Sequence, residues 1–435
     1  LQASSFLENF GDGSVPERPT AVLAKFHAKV ADTCRRGAAR VSHGGHLSEK
    51  ASIGAGSFGA EWALLLECAR ANPDLQRFKE QLRGPVDWPV LLKLAEEHCV
   101  LGLLAIRLRR RGEVASPPEI FQELRERQRA RALFTLRVTA EMFRLLDRFA
   151  EAGVEALVIK GPVLSVRCYG DPGLRHYGDL DLIVRDADIL RSTELMLGLG
   201  YEPSVPLTAI RAKKIPGEYV FRQTSTKLLV EFHTELTFRY HPRPLPLANL
   251  FARQARVDID SHLVPALSPE DELLLICIHG VKHFWEQLSY IADVAAFVTV
   301  QELDWARVQA AAAEVGGERM LYLGLRLAAD VLGAPLPEKV AERARSDRAI
   351  GPLVGRILQW LPAAGSTPPG ILERAMFRMR IRGGVFSAIA YLFRLSLSPT
   401  EEDWVEGAEN KRHWLLDALG RPFRLARKYG NDSKS

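Results

Sequence analysis

The sequence predicts an α+β protein in which one small mixed sheet sits between an N-terminal and a C-terminal helical region. Three observations carry that expectation. Apolar residues recur at three- and four-residue spacing from Glu61 to Ala152, and helical patterning returns beyond Ser268. Between those stretches the runs become short, β-rich and bounded by Gly or Pro. The 435 residues exceed one ordinary domain, and 47 % hydrophobic with 26 % charged residues suits a chain that buries a core.

Residues 1–58 are expected to form a loosely packed extension, because the Gly37–Gly59 stretch is rich in Gly, Ala, Ser and His and poor in large apolar residues. His43 and His46 read there as solvated loop histidines. Residues 59–152 read as a helical domain: EWALLLECARA, LQRFKEQL and the run Trp88–Arg109, then a long helix opened by Pro117-Pro118 and stopped by Gly153. Residues 153–265 hold the sheet. VEALVIKGP (154–162) is a buried strand, PVLSVRCYG a short helix, and HYGDLDLIV (176–184) a second strand. A helix from about Asp186 to Leu199 follows, and then a hairpin over Glu218–Leu236 that turns near Ser225–Lys227. Ser268 is a good N-cap for PEDELLLICIHGVKHF, which opens a helical domain over 266–435.

Composition excludes several classes. No uncharged apolar run is long enough to span a bilayer, and no charged-then-apolar leader is visible. The five cysteines, Cys34, Cys68, Cys99, Cys168 and Cys277, are scattered without CxxC spacing, which argues for reduced thiols, a cytoplasmic location and no zinc site. A net charge of +5 from 58 basic and 53 acidic residues does not by itself indicate nucleic acid. No basic stripe with interleaved aromatics appears near the sheet either.

The chemistry concentrates at GDLDLIV (178–184). Strand alternation sets Asp179 and Asp181 on one face and Leu180 and Leu182 on the other. Two carboxylates about 7 Å apart along a strand repel each other unless a cation lies between them. Such a pair suits Mg²⁺-assisted phosphoryl or nucleotidyl transfer. Upstream, Lys160-Gly161 ends a strand and opens a helix, where glycine and free N–H groups let a phosphate approach. Downstream, Glu231 and His233 share a strand face, and Glu231 can supply a third carboxylate. Arg175 is a candidate either for a bidentate phosphate contact or for simple pairing with a carboxylate. His279, Lys282 and His283 share one helix face and are candidates for the nucleotide or its acceptor, with Asp293 close by in sequence. Trp285 reads as core.

The run VIKGPVLSVRCYGDPGLRHYGDLDLIV (158–184) resembles the "KG…Y…R…DiDlLv" signature of the uncharacterised nucleotidyltransferase family of the polymerase-β-like superfamily. HGVKHFW (279–285) through Asp293, SPTEEDW (398–404) and RPFRL (421–425) resemble further motifs of that family. The resemblance implies a small mixed-sheet nucleotidyltransferase core flanked by helices. It also implies Asp179, Asp181 and Glu231 as catalytic metal ligands, Mg²⁺ or Mn²⁺ as cofactor and an NTP as donor. Lys160, Gly161, Arg175, His233, Lys282 and His283 would line the nucleotide. The departure is Gly161-Pro162 where the superfamily carries Gly-Ser, so either Lys160 takes over the serine's phosphate contact or triphosphate binding is altered.

The expected reaction moves an NMP group to a hydroxyl or phosphate of a small-molecule, sugar or peptide acceptor and releases pyrophosphate. The alternatives are a non-catalytic nucleotide- or protein-binding module on the same fold and a kinase-like γ-phosphate transfer. The C-terminal stretches 373–384 and 421–430 mix basic and apolar residues. They read as an ordinary amphipathic closure of the helical domain in preference to a membrane-surface contact.

Overall fold

The protein is described by a computed structural model over residues 59–109, 117–211, 217–234, 246–363 and 370–382. The expected extension at 1–58, with His43 and His46, and the C-terminal motifs beyond Arg382 lie outside the described residues.

Four helices come first: α1 (Gly59–Ala69), α2 (Leu75–Arg83), α3 (Trp88–Glu97) and α4 (Leu101–Arg109). The single run expected over Trp88–Arg109 is broken between α3 and α4, where Cys99 adopts φ 56°. Asp74 and Asp87 cap α2 and α3 by accepting backbone N–H bonds from the first turn. Helix α5 (Pro118–Glu151) is the long helix foreseen, and it buries Val138, Met142, Leu145 and Phe149 along one stripe.

The α/β segment then runs β1 (Ala156–Ile159), α6 (Gly161–Tyr169), β2 (Asp179–Val184), a short 3₁₀ turn at Asp186–Asp188, α7 (Ile189–Gly198), β3 (Tyr201–Pro203), α8 (Leu207–Arg211), β4 (Glu218–Gln223), β5 (Leu229–His233), α9 (Leu247–Ala252), β6 (Ala255–Ile259) and β7 (His262–Ala266). Seven strands form one sheet in the order β3-β4-β5-β2-β1-β7-β6. The β2–β5 and β1–β7 pairs are parallel and the others antiparallel, so the sheet is mixed. Sequence patterning missed β3, β6 and β7. Each is short and lies toward an edge of the sheet, where alternation is weakest.

Which face a residue takes decides what it meets, and alternation with the strand register sets that face. Leu180, Leu182, Val184, Phe221, Val230 and Phe232 pack with the α5 stripe in one buried core. Leu157, Ile159 and Ile183 point the other way, into a second core built with the C-terminal helices. Those helices are α10 (Pro269–Lys282), α11 (Leu288–Val300), α12 (Trp305–Val315), α13 (Glu318–Leu332), α14 (Glu338–Ser346), α15 (Ile350–Trp360) and α16 (Ile371–Ile381). Ser268 caps α10 as expected, its hydroxyl accepting from the Asp271 N–H. Among the described residues no helix is long and apolar enough to cross a membrane.

The end of α10 is held by a particular turn. Trp285 N–H donates to the Gly280 carbonyl at 2.8 Å and Phe284 N–H to that of Val281 at 3.2 Å, the paired bonds of a Schellman motif. Glycine is usual at that left-handed position, yet here Phe284 and Trp285 have φ of 56° and 55°. Burial of both rings offsets the strain, since a fully buried large apolar side chain contributes about 1.5–3 kcal/mol. The turn folds Trp285 back under its own helix, so the expectation that Trp285 is core holds.

A Cβ at Gly280 would stand 2.6 Å from the Trp285 ring, and one at Gly324 would stand 2.9 Å from it. Gly280→Ala should therefore lower stability by about 1–3 kcal/mol through overpacking, read from the shift of a denaturant midpoint. A second expectation concerns His98, which is fully buried and accepts the Leu288 N–H at 3.2 Å. Burial pushes its pKa down to about 4. Between about pH 6.5 and that value the unfolded chain binds a proton that the folded chain does not, so stability falls as pH falls through this window. The slope is at most about 1.4 kcal/mol per pH unit for one group. His98→Gln should flatten the pH dependence of stability in this window.

Candidate active site

The site lies on the sheet face opposite α5. Register places Asp181 directly beside Glu231 across the parallel β2–β5 pair, and Ile159 beside Asp181 across β1–β2. On the far side of β5, Val220 stands opposite Glu231, and Glu218 opposite His233. Alternation then sets Asp179, Asp181, Glu231, His233 and Glu218 on one face.

Asp181 is the centre. It is 3 % exposed, and its Oδ1 meets both His233 Nε2 at 2.7 Å and Lys160 Nζ at 3.3 Å. Burial alone would raise its pKa, but the Lys160 charge and the His233 hydrogen bond hold it well below the ordinary carboxylate range. Asp179 and Glu231 behave in the opposite way. Burial, and then the Asp181 charge, pushes both upward, and Glu231 is carried to about 9 with Asp179 and Glu218 adding to the effect. The crowd of acids holds Lys160 firmly in its charged form, against the cost of its burial.

Burial and the neighbouring acids push Glu231 upward in spite of Lys160, so a further positive charge beside it would be favourable. Ligand atoms of Asp181, Glu231 and His233 all lie within 4.8 Å of one another, a grouping able to hold a metal ion. The carboxylate oxygens suit a hard cation such as Mg²⁺, and an imidazole in the set is also compatible with Mn²⁺. The His233–Asp181 bond at 2.7 Å orients the carboxylate. Asp179 stands outside that threefold group, but its charge reaches both Glu231 and Lys160.

Lys160 and Gly161 form the tight link from β1 into α6. Lys160 has φ 53° and ψ −139°, and Gly161 has φ 43°. A lysine in a conformation ordinarily reserved for glycine is backbone strain of the kind that gathers at functional sites. Pro162 removes one N–H from the first turn of α6, leaving a helix start with fewer donors for an anion.

Arg175 takes a buried position. Its Nε donates to Asp293 Oδ2 at 2.7 Å, and the Tyr169 hydroxyl donates to Asp293 Oδ1 at 2.9 Å. The Arg175 charge still lowers the Asp179 pKa. A second buried pair, Arg167 with Glu272, ties α6 to α10, and Arg167 also donates to the Leu267 carbonyl at 2.8 Å. Lys282 meets Glu218 at 3.4 Å, linking the end of α10 to β4. His279 and His283 sit beside Lys282 and form a ring cluster with Tyr290.

The structure thus gathers Lys160, Asp179, Asp181, Glu231 and His233, brings Lys282 to their edge through Glu218, and pairs Arg175 with Asp293. Sequence reasoning missed Glu218, Tyr169 and Tyr290. Alternation along β4 would have put Glu218 on a defined face, but only the β4–β5 register sets it opposite His233.

No curated protein matches the chain. Residues 84–333, more than half of the chain, match the family described as "uncharacterised nucleotidyltransferase". That span runs from before α3 to the end of α13 and includes the whole sheet with Asp179, Asp181, Glu218, Glu231 and Asp293. The protein belongs to this nucleotidyltransferase family.

Proposed function

We propose that the protein transfers an NMP group from an NTP to a hydroxyl or phosphate of a small-molecule, sugar or peptide acceptor, with release of pyrophosphate. The observation that carries this reading is the pairing of Asp181 with Glu231 on adjacent parallel strands, with Lys160 and His233 on the same Asp181 oxygen. The acceptor oxygen attacks the α-phosphorus, the bond to the β-phosphate oxygen breaks, and pyrophosphate leaves. Mg²⁺ or Mn²⁺ held by Asp179, Asp181 and Glu231 would neutralise the triphosphate and acidify the acceptor hydroxyl.

The chain's own groups do the rest. Lys160 and the start of α6 hold the phosphates, His233 fixes the orientation of Asp181, and Glu231, once a bound cation has displaced its own proton, would take the proton of the acceptor. Arg175, positioned by Asp293, adds positive field beneath Asp179. Lys282 reaches the triphosphate by leaving Glu218, an exposed pair that costs little to separate. Such preorganised charge is the main source of rate enhancement in phosphoryl-type transfers. In this reading residues 59–152 and 266–435 are the helical domains on either side of the 153–265 core.

Asp181→Asn should lower metal-dependent NTP turnover at least about 100-fold, measured as pyrophosphate release, while the chain stays folded. Turnover equal to that of the natural protein would remove the metal assignment, and a nucleoside diphosphate product would mean γ-phosphate transfer instead. The strain at Lys160 gives a separate test. Lys160→Gly and Lys160→Ala both abolish the phosphate contact, but the glycine variant should be the more stable by about 1 kcal/mol because it relieves the positive φ. Identical denaturant midpoints would show that the conformation is unstrained.

A further inference from the structure

The ring cluster beside the acids has a composition that phosphate binding does not explain. His279 and His283 lie with ring centroids 4.6 Å apart, His279 meets Tyr290 edge-on at 5.3 Å, and His283 stacks on Tyr290 at 5.6 Å with 29° between planes. All three rings are half-buried, so each keeps surface that a ligand can touch. The sheet's own rings, Tyr219, Phe221 and Phe232, are buried on the opposite face. Val220 and Leu229 are the half-buried apolar side chains of the acid-bearing face. A ring surface is therefore supplied by α10, its C-cap His283 and α11, with the His283 and Tyr290 planes 29° apart and His279 turned against both.

We propose that His279, His283 and Tyr290 form the subsite for the nucleobase of the donor NTP. This rests on the nucleotidyl-transfer reading and adds to it the place where the base is held. Two observations support the assignment to donor over acceptor. The cations whose fields reach the rings are Lys160 and Lys282 for both histidines and Arg175 for His279, the groups on the phosphate side of the site. Burial first, and then those cations, keep both imidazoles uncharged, His283 at about 3. An uncharged imidazole is a poor phosphate ligand, but it offers a π-face for stacking and one donor and one acceptor for a base edge.

The backbone that carries the rings is tied down by hydrogen bonds of the helix end. His279 and His283 flank the Schellman turn that anchors Trp285 under Gly280, and Tyr290 sits in the first turn of α11. A platform fixed in advance loses little freedom when a base stacks on it, which favours affinity.

The test uses the full chain and measures binding of Mg²⁺ complexes of ATP, GTP, CTP, UTP and inorganic tripolyphosphate by calorimetry. His283→Ala and Tyr290→Leu should weaken the preferred NTP about tenfold and narrow the differences among the four bases, while leaving tripolyphosphate affinity unchanged. Tyr290→Phe, which keeps the ring, should retain the preference and guards against a folding defect in the leucine variant. Equal losses for NTP and tripolyphosphate, or unchanged NTP binding in both ring-deleted variants, would overturn the base subsite and leave the nucleotidyl-transfer reading in place. Failure of the natural chain to bind any NTP, or to turn one over, would overturn both.

Discussion

The repulsion among carboxylates on one sheet face is the constraint around which the rest of the site is arranged. Asp179, Asp181, Glu231 and Glu218 occupy three neighbouring strands and point to the same side. Left to themselves such groups would hold protons, and Glu231 does so in response to burial and its neighbours. Asp181 and Glu218 escape: Lys160 and His233 converge on one Asp181 oxygen, and the Lys282 charge, with His233 and Lys160, pulls Glu218 down against its burial. A fold gains nothing in stability from collecting buried like charges, and Asp181, Glu231 and His233 form a grouping able to hold a metal ion.

The surrounding helices keep this crowded face in register. Two buried ion pairs, Arg175–Asp293 and Arg167–Glu272, cross from the α/β segment to the C-terminal helices. Each leaves an expensive unpaired charge if one partner is lost, so each resists slippage of α10 and α11 across the sheet. The turn after Lys282 works by packing: Trp285 fits where Gly280 and Gly324 carry no side chain. The same helix end that secures the core also carries Lys282, His279 and His283.

Much of this was legible in the chain. The long helix from Pro118, the strand–turn–helix at Lys160-Gly161, the DLD strand, the hairpin about Ser225–Lys227 and the Ser268 cap each have a local cause: apolar period, glycine stop or capping hydroxyl. The pairing of family motifs with the acids led to the same nucleotidyltransferase family that residues 84–333 match. The short strands β3 and β6 at the edges and β7 beside β6 carried no such local signal, because their pairing partners determine them more than their own three to five residues do.

The sequence by itself determined which residue types lie on which side of each strand or helix, since alternation and the helical period are properties of the local backbone. Asp179 with Asp181, Glu231 with His233, and His279 with Lys282 and His283 are groupings of that kind. Tertiary structure alone decided what those groups meet. The parallel register of β2 and β5 sets Asp181 beside Glu231, the β4 register adds Glu218, and packing of α11 on α6 closes Asp293 onto Arg175. These are contacts between segments tens of residues apart, and their geometry depends on strand order and side-chain packing across the cores, which no local period encodes.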